Sequence, residues 1–249
     1  MRLRTGAVAL SLLFQATAAF AKDQTPVDCA SDVSDQQGIT GFSSLVDGQP
    51  TDPKAPTLSL SLSRSQGQSV LQPVLQLAPG SKRGWCDAVV SVMLPAVQAN
   101  GRVTLAQNVG VSWEQRWQED TGSLPTFATL TSVIVDYSGP SAVTSVSATA
   151  IVAKTFGPLV GYFNGTLSTQ FGKGVDHSLV PSAVIGLKWP PRGNHALVAD
   201  VVFTKGAPDV AELSYQFEGP YDLGIGPGLA MTLDGRRTVT AGIVVQKEF

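Results

Sequence analysis

The stretch VTLAQNVGVSWEQRWQ (103–118) decides how the rest of the chain is read. Its odd positions are Val103, Leu105, Gln107, Val109, Val111, Trp113, Gln115 and Trp117. Its even positions are Thr104, Ala106, Asn108, Gly110, Ser112, Glu114, Arg116 and Gln118. Successive side chains of a β-strand point to opposite faces, so this period of two sets a mostly apolar face against a polar or small one. The polar face carries a carboxylate and a guanidinium at mid-run. A dry core could hold these only as compensated pairs, whereas an aqueous interior holds them readily.

The pattern repeats outward from this stretch. In 222–233, Leu223, Ile225, Pro227, Leu229, Met231 and Leu233 oppose Gly224, Gly226, Gly228, Ala230 and Thr232. The terminal run sets Val239, Ala241, Ile243, Val245 and Phe249 against Thr238, Thr240, Gly242, Val244, Gln246 and Glu248. Lys247 interrupts its apolar face where a long side chain can snorkel to an interface. Similar runs, broken by Gly, Pro, Asn and Asp, fall near 57–65, 68–78, 86–97, 102–118, 124–137, 142–156, 158–171, 178–190, 194–205, 208–218, 222–233 and 237–248. They predict an all-β, antiparallel transmembrane β-barrel of about twelve strands, each long enough for the roughly 9–11 residues that a tilted bilayer-crossing strand needs. No run of about 18 apolar residues follows the first 21 residues, so membrane-spanning helices are not expected.

A soluble β-sandwich also alternates. Two features favour the barrel. Aromatics recur on the apolar face near strand ends (Trp113, Trp117, Phe127, Tyr137, Phe156, Phe171, Trp189, Phe203, Phe217 and Phe249), as interfacial girdles require. Glu114, Arg116, Asp136, Lys188, Asp200 and Glu212 lie on the parity opposite their apolar neighbours and are the expected lumen-lining residues. The turns after Phe156, Trp189 and Phe217, each an aromatic close to a proline, are spaced by two strands and two turns, and so belong at one end of the barrel. Short turns are expected at one end and longer loops at the other.

Met1 to Ala21 reads as a signal peptide. Arg2 and Arg4 form the positive region, 7–14 the apolar core, and Ala19-Phe20-Ala21 the cleavage site. Removing those 21 residues leaves 249 − 21 = 228, with 17 − 2 = 15 basic against 19 acidic residues, a net charge of −4. That mild acidity offers no basic footprint for nucleic acid. The 22–55 segment is polar and without period, and the barrel is expected over 56–249. Cys29 and Cys86 are the only cysteines, and in an exported chain a disulfide between them is the expected state.

The stretch from Gly101 to Phe249 contains WEQRWQED (113–120), LPTFATLTSVIVDYSG (124–139), AKTFGPLVGYFNG (153–165), VIGLKWPP (184–191) and LVADVVF (197–203). It resembles the outer-membrane barrels described as transporters of a phenol-degradation (meta) pathway. The likeness covers about 60% of the chain and lies in strands and turns rather than in a fixed motif. It implies a barrel of roughly twelve strands and passage of small molecules, aromatic ones among them. It brings no catalytic residues and no cofactor, and neither cysteine belongs to the matched pattern.

Enzymatic alternatives have little to stand on. His177 and His195 are the only histidines, and Asp176-His177-Ser178 joins three triad residue types in sequence. Neighbours on a strand point apart, however, and Gly172 and Gly174 mark a loop tip. His195 follows Pro190-Pro191-Arg192-Gly193-Asn194 and reads as a turn residue or an interfacial ring. Gly224-x-Gly226-x-Gly228 places small residues at strand spacing rather than a phosphate cradle, which needs a following helix. Asn164-Gly165-Thr166 matches a glycosylation tripeptide that arises often by chance. Glu114 and Arg116, two apart on one face, suit either an internal ion-pair network or a constriction that sorts solutes by charge. The resulting expectation is an outer-membrane channel or transporter for small solutes, in contact with membrane lipid and without catalytic, metal or cofactor sites. A soluble periplasmic β-sandwich binding module and a structural barrel without transport are the alternatives.

Overall fold

In the computed structural model the described residues are 56–249, apart from 67, 78–87, 95–96, 100–102, 106–107, 119, 138–140, 191–193, 221–222 and 236. The predicted signal peptide, the 22–55 segment, Cys29 and Cys86 lie outside the described residues. The strands are β1 (Thr57–Ser65), β2 (Gln68–Leu77), β3 (Ala88–Met93), β4 (Val97–Ala99), β5 (Val103–Leu105), β6 (Asn108–Gln118) and β7 (Thr126–Asp136). They continue as β8 (Val143–Phe156), β9 (Leu159–Phe171), β10 (Val180–Trp189), β11 (His195–Thr204), β12 (Val210–Gly219), β13 (Leu223–Thr232) and β14 (Val239–Glu248).

Every pairing is antiparallel, and the sheet closes because β1 pairs with both β2 and β14. The seam is in register from Thr57↔Glu248 to Ser65↔Thr240 and is extended by Phe249 N–H donating to the Pro56 carbonyl at 3.0 Å. Fourteen strands make twelve staves, since two staves are broken. β2 pairs with β3 through Val74–Leu77 and with β4 through Ser69–Leu71, while β3 pairs with β6 and β4 with β5. The predicted single run at 86–97 is therefore two strands, β3 ending at Met93 and β4 beginning at Val97. Closure of one sheet on itself excludes the alternative of two sheets packed as a sandwich.

Burial alternates along the later strands. In β10 to β13 the even positions Val184, Lys188, Ala196, Val198, Asp200, Ser214, Gln216 and Ala230 are buried, while Ile185, Leu187, Leu197, Leu213 and Leu229 are exposed. In a closed barrel the buried parity faces inward. The exposed aliphatic belt is bounded by exposed aromatics: Phe156, Trp189 and Phe249 at the end where β1 begins and β14 ends, and Tyr137, Phe171 and Phe203 at the other. Lys247 extends toward this rim, with Nζ 5.9 Å from the Phe249 ring centroid.

Three features depart from expectation. A register shift between Arg116 and Gln118 places Gln118 opposite Phe127, so the strict alternation ends at Trp117. The inner wall of β8 to β11 is partly apolar: Ala153, Val160, Tyr162, Val184 and Val198 pack together with Val202 against them. Inward side chains of adjacent staves meet there and cover part of the wall. Finally, the three aromatic–proline turns do share one end, as antiparallel order requires, but the longer 119–125 connection is there too.

Candidate functional site

The inner face of β10, β11 and β12 concentrates the ionisable groups. Lys188 is 2% exposed and Asp200 4%. Across the strands, Lys188 pairs with Val198 and Val198 with Ser214, while Gly186 pairs with Asp200 and Asp200 with Glu212. Asp200 and Glu212 are thus directly opposite each other, at the roughly 5 Å typical of facing Cβ atoms, and Lys188 is the diagonal neighbour of Asp200. Facing carboxylates repel, and a cation one diagonal step away offsets that repulsion.

The other predicted residues sit on different staves. Glu114 pairs with Val89 and Leu130, and Arg116 with Ala128, on the far side of the barrel from β12. Asp136 ends β7 beside Asn108 and Val143 and is exposed at the barrel mouth. All six are engaged in interactions within the chain. The structure therefore joins Lys188, Asp200 and Glu212 into one group and keeps Glu114 with Arg116, and Asp136, apart from it.

Attention to ionisable residues alone passes over the neutral polar groups of the same face. Asn164 and Tyr162 on β9 are buried inside, opposite Ile151 and Ala153 of β8, which leaves the glycosylation tripeptide out of reach. Thr149 and Thr166 bridge β8 and β9 through their hydroxyls at 2.8 Å. On β12 the inward residues are Glu212, Ser214, Gln216 and Glu218, of which Ser214 and Gln216 are buried. Their signal in the sequence is parity: each is an even position between exposed Leu213 and Tyr215 or beside Phe217.

At the rim, Asp120 is clamped. Lys154 Nζ lies 2.9 Å from Oδ1, the Gly122 N–H donates to Oδ1 at 2.9 Å, and the Thr155 N–H donates to Oδ2 at 2.8 Å. Partial burial raises the carboxyl pKa, but the Lys154, Thr155 and Gly122 hydrogen bonds together outweigh it and bring the group down from 3.8 to about 2. Lys154 also donates to the carbonyl of Gly122 at 2.6 Å, tying the 119–125 connection to the end of β8.

The histidines sit outside this interior. His177 Nδ1 is 2.7 Å from the Gln170 carbonyl oxygen, where a catalytic triad needs a carboxylate, and its ring stacks on Phe171. His195 opens β11, hydrogen-bonds the Tyr215 hydroxyl through Nδ1 and packs on Phe217, with ring centroids 5.0 Å apart. It therefore belongs to the start of β11 rather than to the preceding turn.

No protein-family model matches the chain, and no curated protein does. Solved structures do match. The KdgM porin aligns over 78% of this chain and 99% of its own, at 9% identity and a TM-score of 0.52. The KdgM porin in complex with disordered oligogalacturonate aligns over the same shares, at 9% identity and a TM-score of 0.50. At such identity the likeness shows the fold alone, a closed antiparallel barrel.

Proposed function

We propose that this chain is an outer-membrane barrel that passes small solutes. The observation that carries the reading is the pairing of its two faces: an outward belt of exposed aliphatics bounded by aromatics at both ends, around an inner face bearing Lys188, Asp200 and Glu212. A lipid environment rewards the first, and a hydrated interior tolerates the second. Glu114, Arg116 and Asp136 complete the set of residues that line the path, and passive transport suits a barrel in which His177 Nδ1 and His195 Nδ1 meet a backbone carbonyl and a tyrosine hydroxyl. The solved barrel bound to oligogalacturonate supports solute passage as a use of this fold. The resemblance to phenol-pathway transporters suggests small aromatic solutes among those carried.

Export completes the proposal. The signal peptide is cleaved after Ala21, and Cys29 and Cys86 pair in the oxidising periplasm. Membrane fractionation, heat-modifiable gel mobility and conductance of the refolded protein in planar bilayers test the reading. A mature chain found in the soluble periplasm without heat-modifiable mobility refutes membrane insertion. Insertion without channel events leaves a structural barrel, a second reading favoured by the packed inner wall of β8 to β11.

A further inference from the structure

Ser214 is 1% exposed and Gln216 3%, and the Ser214 hydroxyl and both amide atoms of Gln216 make no hydrogen bond among the described residues. Buried polar groups are almost always partnered. The register explains why these two are not. On the β11 side their partners are Val198 and Ala196, which offer no polar side-chain atom. On the β13 side Ser214 faces Gly228 and Glu218 faces Gly224, with the inward Gly226 between them, so no side chain rises from that flank. The result is a polar row beside a track of glycines, inside the barrel.

The chemistry of the row selects a ligand class. A hydroxyl both donates and accepts, and a carboxamide supplies two donors and an acceptor, so their natural complement is a molecule that does both as well. Glu212 and Glu218 close the row at its two ends on the same inward parity, and with Asp200 they outnumber the neighbouring Lys188, so the net negative charge disfavours anions. Backbone without Cβ atoms at Gly224, Gly226 and Gly228 lets a compact carbon skeleton approach closely. We propose that Ser214 and Gln216, beside these glycines, bind the hydroxyl groups of small uncharged solutes in the barrel interior. The inference rests on the solute-channel reading and names the solute class for it.

The test uses the full refolded chain in planar bilayers with arabinose as the neutral probe and gluconate as a polyhydroxylated anion. Arabinose should reduce the ion current of the wild type in a saturable way. Its half-blocking concentration should rise at least tenfold in Gln216→Leu and in Ser214→Ala. Gluconate should block at least tenfold more weakly than arabinose. Gly226→Ala retains both polar side chains but fills the track, so it should raise the half-blocking concentration as well and serves if Gln216→Leu does not assemble. Equal block of variants and wild type, or gluconate blocking as well as arabinose, overturns the site and assigns the two side chains to water. If the wild type carries no current, the channel reading fails separately. The site is then judged by heat-modification: arabinose should raise the wild-type midpoint and not that of Ser214→Ala, and equal shifts overturn it.

Discussion

Replacing Leu213 with arginine separates a membrane barrel from a soluble one by the size of the effect. Leu213 is 52% exposed on the outer face of β12, three residues from Val210 at the strand's start. At about 3.3 Å per residue and a tilt of about 40°, it sits roughly 8 Å inside an apolar belt about 25 Å tall. Its cross-strand neighbours are Ala199 and Leu229, so an arginine there finds no carboxylate directly opposite. A cation at this depth costs about 2–3 kcal/mol, roughly a 30- to 150-fold loss in the folding equilibrium. For a barrel in water the same exposed substitution would change stability by no more than about 0.5 kcal/mol. The assay is urea titration of refolding into phospholipid vesicles, read by heat-modifiable gel mobility. Glu212→Gln is the control, one residue away on the opposite face, and should refold like the wild type. An unchanged midpoint for Leu213→Arg would refute the assignment of this belt to lipid.

Four further outcomes follow from the same geometry. Glu114→Gln should assemble normally and shift ion selectivity toward anions, measured as a change in reversal potential across a salt gradient. Asp120→Asn should loosen the 119–125 connection at a cost on the order of 1–2 kcal/mol, seen as faster proteolysis there, because the charge-assisted bonds to Lys154 and the Thr155 amide weaken. Since the Asp120 carboxyl is lowered from 3.8 to about 2, its contribution is fully present above pH of about 4 and is lost as pH falls toward 2, and acid titration of the same proteolysis should locate that window. Gly110→Ala should destabilise the barrel by about 1–3 kcal/mol in vesicle refolding, since its Cβ would lie 2.9 Å from Ile134 Cγ1 and 3.2 Å from the Val133 carbonyl oxygen.

The number of staves and the sorting of faces are legible in the sequence because a strand's side-chain period is two, and every inward residue is flanked by outward ones, whereas the breaks that divide 86–97 and 102–118 are not. Leu223 to Leu233 and Val239 to Val245 report their faces with no knowledge of any partner strand. The aromatic rims are legible for the same reason, as they combine outward parity with strand ends. Which residues meet is a matter of register and closure. Nothing local tells Asp200 that Glu212 stands opposite it, or Thr57 that Glu248 closes the ring, because those pairings depend on turn lengths and on the shear of the whole barrel. The Lys154 clamp on Asp120 joins residues 34 apart in the chain and exists only once β7 and β8 have brought the rim together. The apolar packing of Tyr162, Val184 and Val198, and the unpartnered state of Ser214 and Gln216 between Val198, Ala196 and the glycines of β13, are likewise tertiary. Alternation fixes the direction in which each side chain points, and closure decides what it finds there.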